Sequence, residues 1–140
     1  MDKKAQGKAN RKAGAAFELA FRKKYEKMGW IVTKFQSNID LEAGKVVMAK
    51  SKYIPGRGLM PGLGFPDFVM FKRRAEHYTL AFVECKTNNK LTKIEKQKLD
   101  WLTKEGHKCY VAYKDEKEIK VRKFVEYKER DRVCPESTGD

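Results

Sequence analysis

Apolar positions recur along the chain with two different periods, and the switches between them divide it into elements. Within residues 11–28, Phe17, Phe21, Tyr25 and Met28 fall at helical spacing with Ala20 beside them, which predicts a helix with a core-facing stripe. Gly29 follows as its C-terminal cap. Residues 30–35 read as a strand. Residues 64–71 (GFPDFVMF) and 80–86 (LAFVECK) are short runs rich in aromatic and β-branched residues, and read as two more. The charged stretch 72–79 between them fits a hairpin connection with its turn at Ala75 and Glu76. A second helix is predicted over 92–105. Thr92 and Glu95 form its capping box, Leu91, Ile94, Trp101 and Leu102 its stripe, and Gly106 its stop. Residues 108–113 and 119–124 are two final strands across a turn at 114–118. The least regular stretch is 36–63. A short strand fits 45–49, and Pro55-Gly56-Arg57-Gly58 and Pro61-Gly62-Leu63-Gly64 signal turns.

The order α-β-β-β-α-β-β gives a single α/β domain, a mixed β-sheet flanked by helices. The connection through the second helix is expected to be a parallel crossover of right hand. Residues 1–12 carry five basic side chains, one acid and no apolar period, and read as a flexible basic arm. The domain spans 13–125, with an inserted basic, glycine-rich loop at 37–63. Residues 126–140 read as a polar, frayed tail.

Pairing the two central runs about Ala75 and Glu76 sets Phe71 opposite Leu80 and Asp67 opposite Glu84. Side chains alternate faces along a strand, so Lys86 shares a face with Glu84. Asp67, Glu84 and Lys86 then converge at one end of one face. A carboxylate and a lysine at a strand end are ordinarily solvated surface charges. Here both strands are apolar on both faces, as central strands are, which favours a site. Two adjacent carboxylates can share a hard cation, since Mg²⁺ takes oxygen ligands. A neighbouring lysine can hold or activate water, which is equipment for metal-assisted phosphodiester hydrolysis.

Charge points the same way. The 140 residues carry 32 Lys and Arg against 19 Asp and Glu, a formal net charge of +13 that suits a polyanionic partner. Lys45, Lys50, Lys52 and Arg57 sit in the loop just before Asp67 and are candidate DNA contacts, the alternative being a mobile insertion. The loop lacks a G-x-x-x-x-G-K-[ST] pattern, so no nucleotide cofactor is expected. No run reaches membrane-spanning length, and no membrane partner is expected. Cys85, Cys109 and Cys134 form no C-x-x-C, and His77 and His107 stand apart, which argues against disulfides and zinc. A reducing, cytoplasmic setting follows.

Pro66-Asp67 followed by Glu84-Cys85-Lys86 resembles the PD-(D/E)xK nuclease superfamily. Gly14-Ala15-Ala16-Phe17-Glu18 looks like the N-terminal glutamate motif of archaeal-type Holliday junction resolvases. Gly64-Phe65-Pro66-Asp67-Phe68, with Leu91, Gln97, Trp101, Leu102 and Gly106, is similar to the virus-type replication-repair (VRR-NUC) nucleases. The resemblance spans about residues 11–125, and the stretch 37–63 departs from the compact resolvase pattern. It implies a restriction-endonuclease-like fold with an α-β-β-β-α-β core. It further implies Mg²⁺ (or Mn²⁺) held by Asp67, Glu84 and the Cys85 backbone carbonyl, with Glu18 completing the acids, Lys86 serving the attacking water, and Gln97 facing the site. Read alone, Glu18 is a surface charge at the edge of its helical stripe and Gln97 a polar boundary residue. By analogy the substrate is branched DNA and the working unit a homodimer. The alternatives are a less selective nuclease on linear or flapped duplex, an RNA nuclease, and a nucleic-acid-binding module without catalysis.

Overall fold

A computed structural model describes residues 2–60 and 64–125 of the chain, without the side chains of Lys52 and Met60. The first helix, α1 (Lys3–Lys27), starts earlier than its apolar stripe. Asp2 caps it, accepting from the Ala5 N–H at 2.7 Å. Residues 3–12 therefore continue the helix and do not form the expected flexible arm. They are rich in Ala, Lys, Gln and Arg, which favour helix without any packing, so the missing apolar period marks missing burial and nothing more. Phe17 and Phe21 are buried, with Tyr25 packed beside them. Met28 is exposed past the last turn. Gly29 takes φ 94°, the left-handed conformation that a helix C-terminus favours in glycine.

Five strands make the main sheet. They are β1 (Ile31–Lys34), β6 (Phe68–Arg73), β7 (Tyr78–Cys85), β8 (Lys108–Asp115) and β9 (Glu118–Lys123), in spatial order β1-β6-β7-β8-β9. The β6–β7 hairpin has the expected register, with Phe71 opposite Leu80 and Phe68 opposite Val83. Its turn closes through the Arg74 N–H donating to the His77 carbonyl at 2.7 Å. After β7 the chain crosses through α2 (Lys93–Lys104) to β8, which pairs parallel to β7. The remaining pairs are antiparallel, so the sheet is mixed and β7 is its central strand.

Alternation along β6 and β7 feeds two cores. Phe68, Met70, Ala81 and Val83 pack with Phe17 and Phe21 of α1. Phe82 packs with Leu99 and Leu102 of α2 and with Cys109 and Val111 of β8. One helix thus covers each face. Of the expected α2 stripe, Leu102 is buried and Leu91 and Trp101 pack against this core, but Ile94 is exposed and Leu99 is buried instead.

The stretch 37–63 is not a structureless loop within its described part. It folds as two hairpins, β2 (Ser37–Asp40) with β3 (Lys45–Met48), and β4 (Lys52–Ile54) with β5 (Gly58–Met60). Ile39 reaches the α2-side core, and Lys98 of α2 donates to Asn38 Oδ1 at 2.8 Å. That burial anchors the first hairpin. Residues 61–63 and the tail assigned to 126–140 lie outside the described residues. Gly64 then crosses close over the chain: a Cβ there would lie 1.8 Å from the Phe35 carbonyl oxygen. Only glycine lets residues 64–67 pass there on their way into β6, and the Phe35 N–H donates to the Asp67 carbonyl at 3.1 Å. Among the described residues, no helix is long and apolar enough to cross a membrane.

Candidate active site

The site lies at the end of the two central strands. Asp67 directly precedes β6 and Glu84 is the penultimate residue of β7. Continuing the hairpin register by one pair sets them opposite each other. They clasp reciprocally. The Asp67 N–H donates to Glu84 Oε1 at 3.0 Å, and the Cys85 N–H donates to Asp67 Oδ2 at 2.9 Å. Each carboxyl group thereby commits one oxygen to a backbone donor of the other strand.

Glu84 is 5% exposed and is the buried charged residue of the chain's described part. Burial, followed by the charges of Asp67 and Glu95, pushes its carboxyl up to about 9. Burial also raises Asp67, with Glu18 adding to the effect, against the Cys85 N–H and Lys34, which favour its charged form. The two adjacent carboxyls titrate together, and with Glu84 pushed up to about 9 the metal-free pair retains a proton at neutral pH.

Two lysines flank the pair, each tied to an acid from a different helix. Lys86 follows β7 and lies on the α2 side, as its parity with Glu84 requires. Its Nζ is 3.2 Å from Glu95 in the first turn of α2. On the α1 side, Lys34 ends β1 opposite Phe68 and pairs with Glu18 of α1. Burial pulls Lys34 down, but the hydrogen bond and charge of Glu18, with Asp67 and Cys85 behind it, hold it above the ordinary lysine value. Cys85 packs on the α1-side core. Its thiol is raised by burial and by the charges of Asp67, Glu18 and Glu84.

Of the residues expected at the site, Asp67, Glu84, Cys85 and Lys86 lie together, and Glu18 joins them through Lys34. Gln97 does not. It is exposed, and the helical phase that buries Leu99 and Leu102 turns residue 97 outward. The inner position falls to Glu95. Lys45, Lys50 and Arg57 are exposed, with Lys45 opening β3, Lys50 in the connection between the two hairpins and Arg57 in the β4–β5 turn; the Lys52 side chain lies outside the described residues. Sequence reasoning missed Lys34 and Glu95. Pairing β1 beside β6 would have found Lys34. Glu95 was legible as a cap but not as the partner of Lys86.

The donor set bears on whether a cation fits. Among the described residues, no three His, Cys, Asp or Glu side chains gather as a metal-holding group. Mg²⁺, however, is commonly bound through one or two carboxylates, with water and substrate phosphate completing its shell. Two adjacent carboxyls, Glu84 buried and Asp67 half-buried, held together by backbone donors of the opposite strand, suit such an ion. No family model, curated protein or solved structure matches the chain.

Proposed function

We propose that the chain is a divalent-cation-dependent nuclease of the PD-(D/E)xK type, hydrolysing phosphodiester bonds in DNA. One observation carries the reading: Asp67 and Glu84 are pressed together at the end of the central strands, with Lys86 two residues past Glu84 on the same face. A buried acid pair is a costly arrangement for a fold to keep without a cationic ligand.

Asp67 and Glu84 are the residues that hold Mg²⁺ or Mn²⁺, with the Cys85 carbonyl adjoining them. Such an ion, when bound, supplies Lewis-acid stabilisation of phosphoryl oxygens and eases deprotonation of water. The chain's own residues do the rest. Asp67 and Glu84 give up their shared proton and present two carboxylates. Lys86 donates from Nζ to the attacking water or to a non-bridging phosphate oxygen, offsetting charge that grows in the transition state. Glu18 keeps Lys34 beside Asp67, where the ammonium tempers the acidity of the site toward an incoming phosphate. The basic surface supplies non-specific attraction for the DNA backbone. Branched duplex DNA as substrate and a homodimer as working unit rest on the family resemblance alone.

The test is cleavage of a four-way junction, a flap, a linear duplex and RNA, each with Mg²⁺ and with chelator. Mg²⁺-dependent DNA cleavage, strongest on the junction, is expected. Undiminished cleavage in excess EDTA removes the metal mechanism. Equal cleavage of linear duplex removes branch selectivity. Tight binding without cleavage of any substrate makes the chain a binding module.

A further inference from the structure

The capping residue of α2 occupies an unusual position. Glu95 is the N3 residue of the helix, and its carboxylate does two things at once. Oε1 accepts the Thr92 backbone N–H at 2.8 Å, while the Thr92 hydroxyl accepts the Glu95 N–H at 3.2 Å, completing a capping box. The same carboxylate meets Lys86 Nζ at 3.2 Å through both of its oxygens. A capping box needs only the first of these contacts.

The pair is shielded, with side chains 25% (Lys86) and 21% (Glu95) exposed. An exposed lysine has a long, freely rotating stem and would give up considerable rotamer entropy on being fixed. Here the acceptor is itself held by the Thr92 backbone and cannot follow the ammonium about. Glu84 lies two residues before Lys86 on the same face of the strand, clasped to Asp67, so an ammonium released from Glu95 is free to turn toward that pair. Pairing with them would neutralise the acids that the proposed cation needs.

We infer that Glu95 is a positioning residue for Lys86, using the start of α2 to hold its ammonium beside the Asp67–Glu84 pair and out of direct pairing with it. This rests on the nuclease reading of the site. Glu95 touches neither substrate nor cation in this role; it acts through Lys86. The helix cap and the aim of the lysine are therefore carried by one side chain.

The two roles separate by mutation. Glu95→Gln retains an Oε1 acceptor for the Thr92 N–H, and Gln serves as well as Glu at this box position, but the negative charge that faces Lys86 is lost. Thr92→Ala removes the hydroxyl half of the box and leaves the carboxylate contact with Lys86 in place. The full chain is assayed for kcat, KM and melting temperature, and Lys86 for its reactivity toward an amine-acetylating reagent by mass spectrometry.

Glu95→Gln should keep its melting temperature and KM, lose kcat on the order of tenfold as removal of a supporting hydrogen-bond partner commonly does, and label faster at Lys86. Thr92→Ala should melt lower, yet turn over and label like wild type. In a Lys86→Met background, adding Glu95→Gln should cost nothing further. The inference is overturned if Glu95→Gln turns over like wild type, if Thr92→Ala loses as much kcat, or if the tenfold loss persists without Lys86. A wild-type protein that cleaves no nucleic acid, even while Glu95→Gln speeds labelling of Lys86, overturns the nuclease reading instead.

Discussion

Replacing Glu84 by glutamine should stabilise the metal-free protein at neutral pH and flatten its pH dependence. A glutamate in the unfolded chain ionises near 4.5, whereas burial first, and then Asp67 and Glu95, push folded Glu84 up to about 9. Between those values the folded protein holds a proton that the unfolded chain has released. The unfolded state then binds fewer protons, so stability falls as pH rises. The contribution is complete below pH 4.5 and is lost progressively as pH climbs to about 9. From 4.5 to 7 is two and a half units, worth about 3 kcal/mol at roughly 1.4 kcal/mol per unit.

Glutamine keeps an Oε1 acceptor for the Asp67 N–H, now 3.0 Å away, and has nothing to ionise. In EDTA, urea unfolding from pH 5 to pH 9 should show wild type declining steadily and Glu84→Gln declining much less, its remaining slope coming from Asp67, which burial also raises. At pH 7 the variant should lead by about 3 kcal/mol, or about 10 °C in melting temperature for a domain of this size. Mg²⁺ should restore wild type at the alkaline end, because it binds the folded state alone, and should help the variant less. Parallel pH profiles for the two proteins would refute the argument. They would mean that Glu84 is ionised at neutral pH without a cation.

Three further outcomes test other parts of the fold. Asp67→Ala should lose about a hundredfold or more in cleavage rate while folding normally and binding DNA at least as well, and Lys86→Ala should lose turnover with slightly weaker binding, both read from rate, gel shift and melting on one preparation. Replacing Lys45, Lys50, Lys52 and Arg57 by glutamine should weaken DNA binding and flatten its dependence on salt; an unchanged slope makes the two hairpins bystanders. Gly64→Ala should cost about 3 kcal/mol or more, because its Cβ would meet the Phe35 carbonyl, a backbone atom with no free rotation to yield; a near-normal melting curve would show that the crossing relaxes.

What could be read from the sequence depended on how local each signal was. The β6–β7 register was legible because the turn is short and a slip of one residue would turn Phe68, Met70, Ala81 and Val83 out of the core. That register alone brings Asp67 to Glu84. The Thr92–Glu95 box was legible for the same reason, its partners being three residues apart. The phase of α2 was legible only in part: Leu91, Trp101 and Leu102 pack as their spacing predicts, but Ile94 does not. Ile94 and Leu99 both fit an apolar stripe, and the choice between them is made by Phe82, Cys109 and Val111, which lie elsewhere in the chain. Gln97 was placed at the site by the family resemblance alone, and Glu95 was read only as a cap. Within 37–63 the strand expected at 45–49 is β3, but its partner and the second hairpin escaped because strands of three or four residues give too few alternations to register against a loop background.

Lys34 and Glu95 were missed together, and electrostatics explains why they belong together. A central strand covered on both faces tolerates charge only where the sheet runs out, which is where Asp67 and Glu84 stand. Two acids there leave each other protonated unless positive charge is near. A single lysine could pair with one acid and disable it. Here each lysine instead has its own acid on a flanking helix, Lys34 on Glu18 and Lys86 on Glu95. The ammonium groups stay close enough for Lys34 to pull Asp67 back toward its charged form, yet each is balanced locally. Such an arrangement leaves the two carboxyls sharing a proton at the centre, with matched ion pairs on either side. It requires both faces of the sheet, both helices and three strands, so no window of the sequence contains it whole.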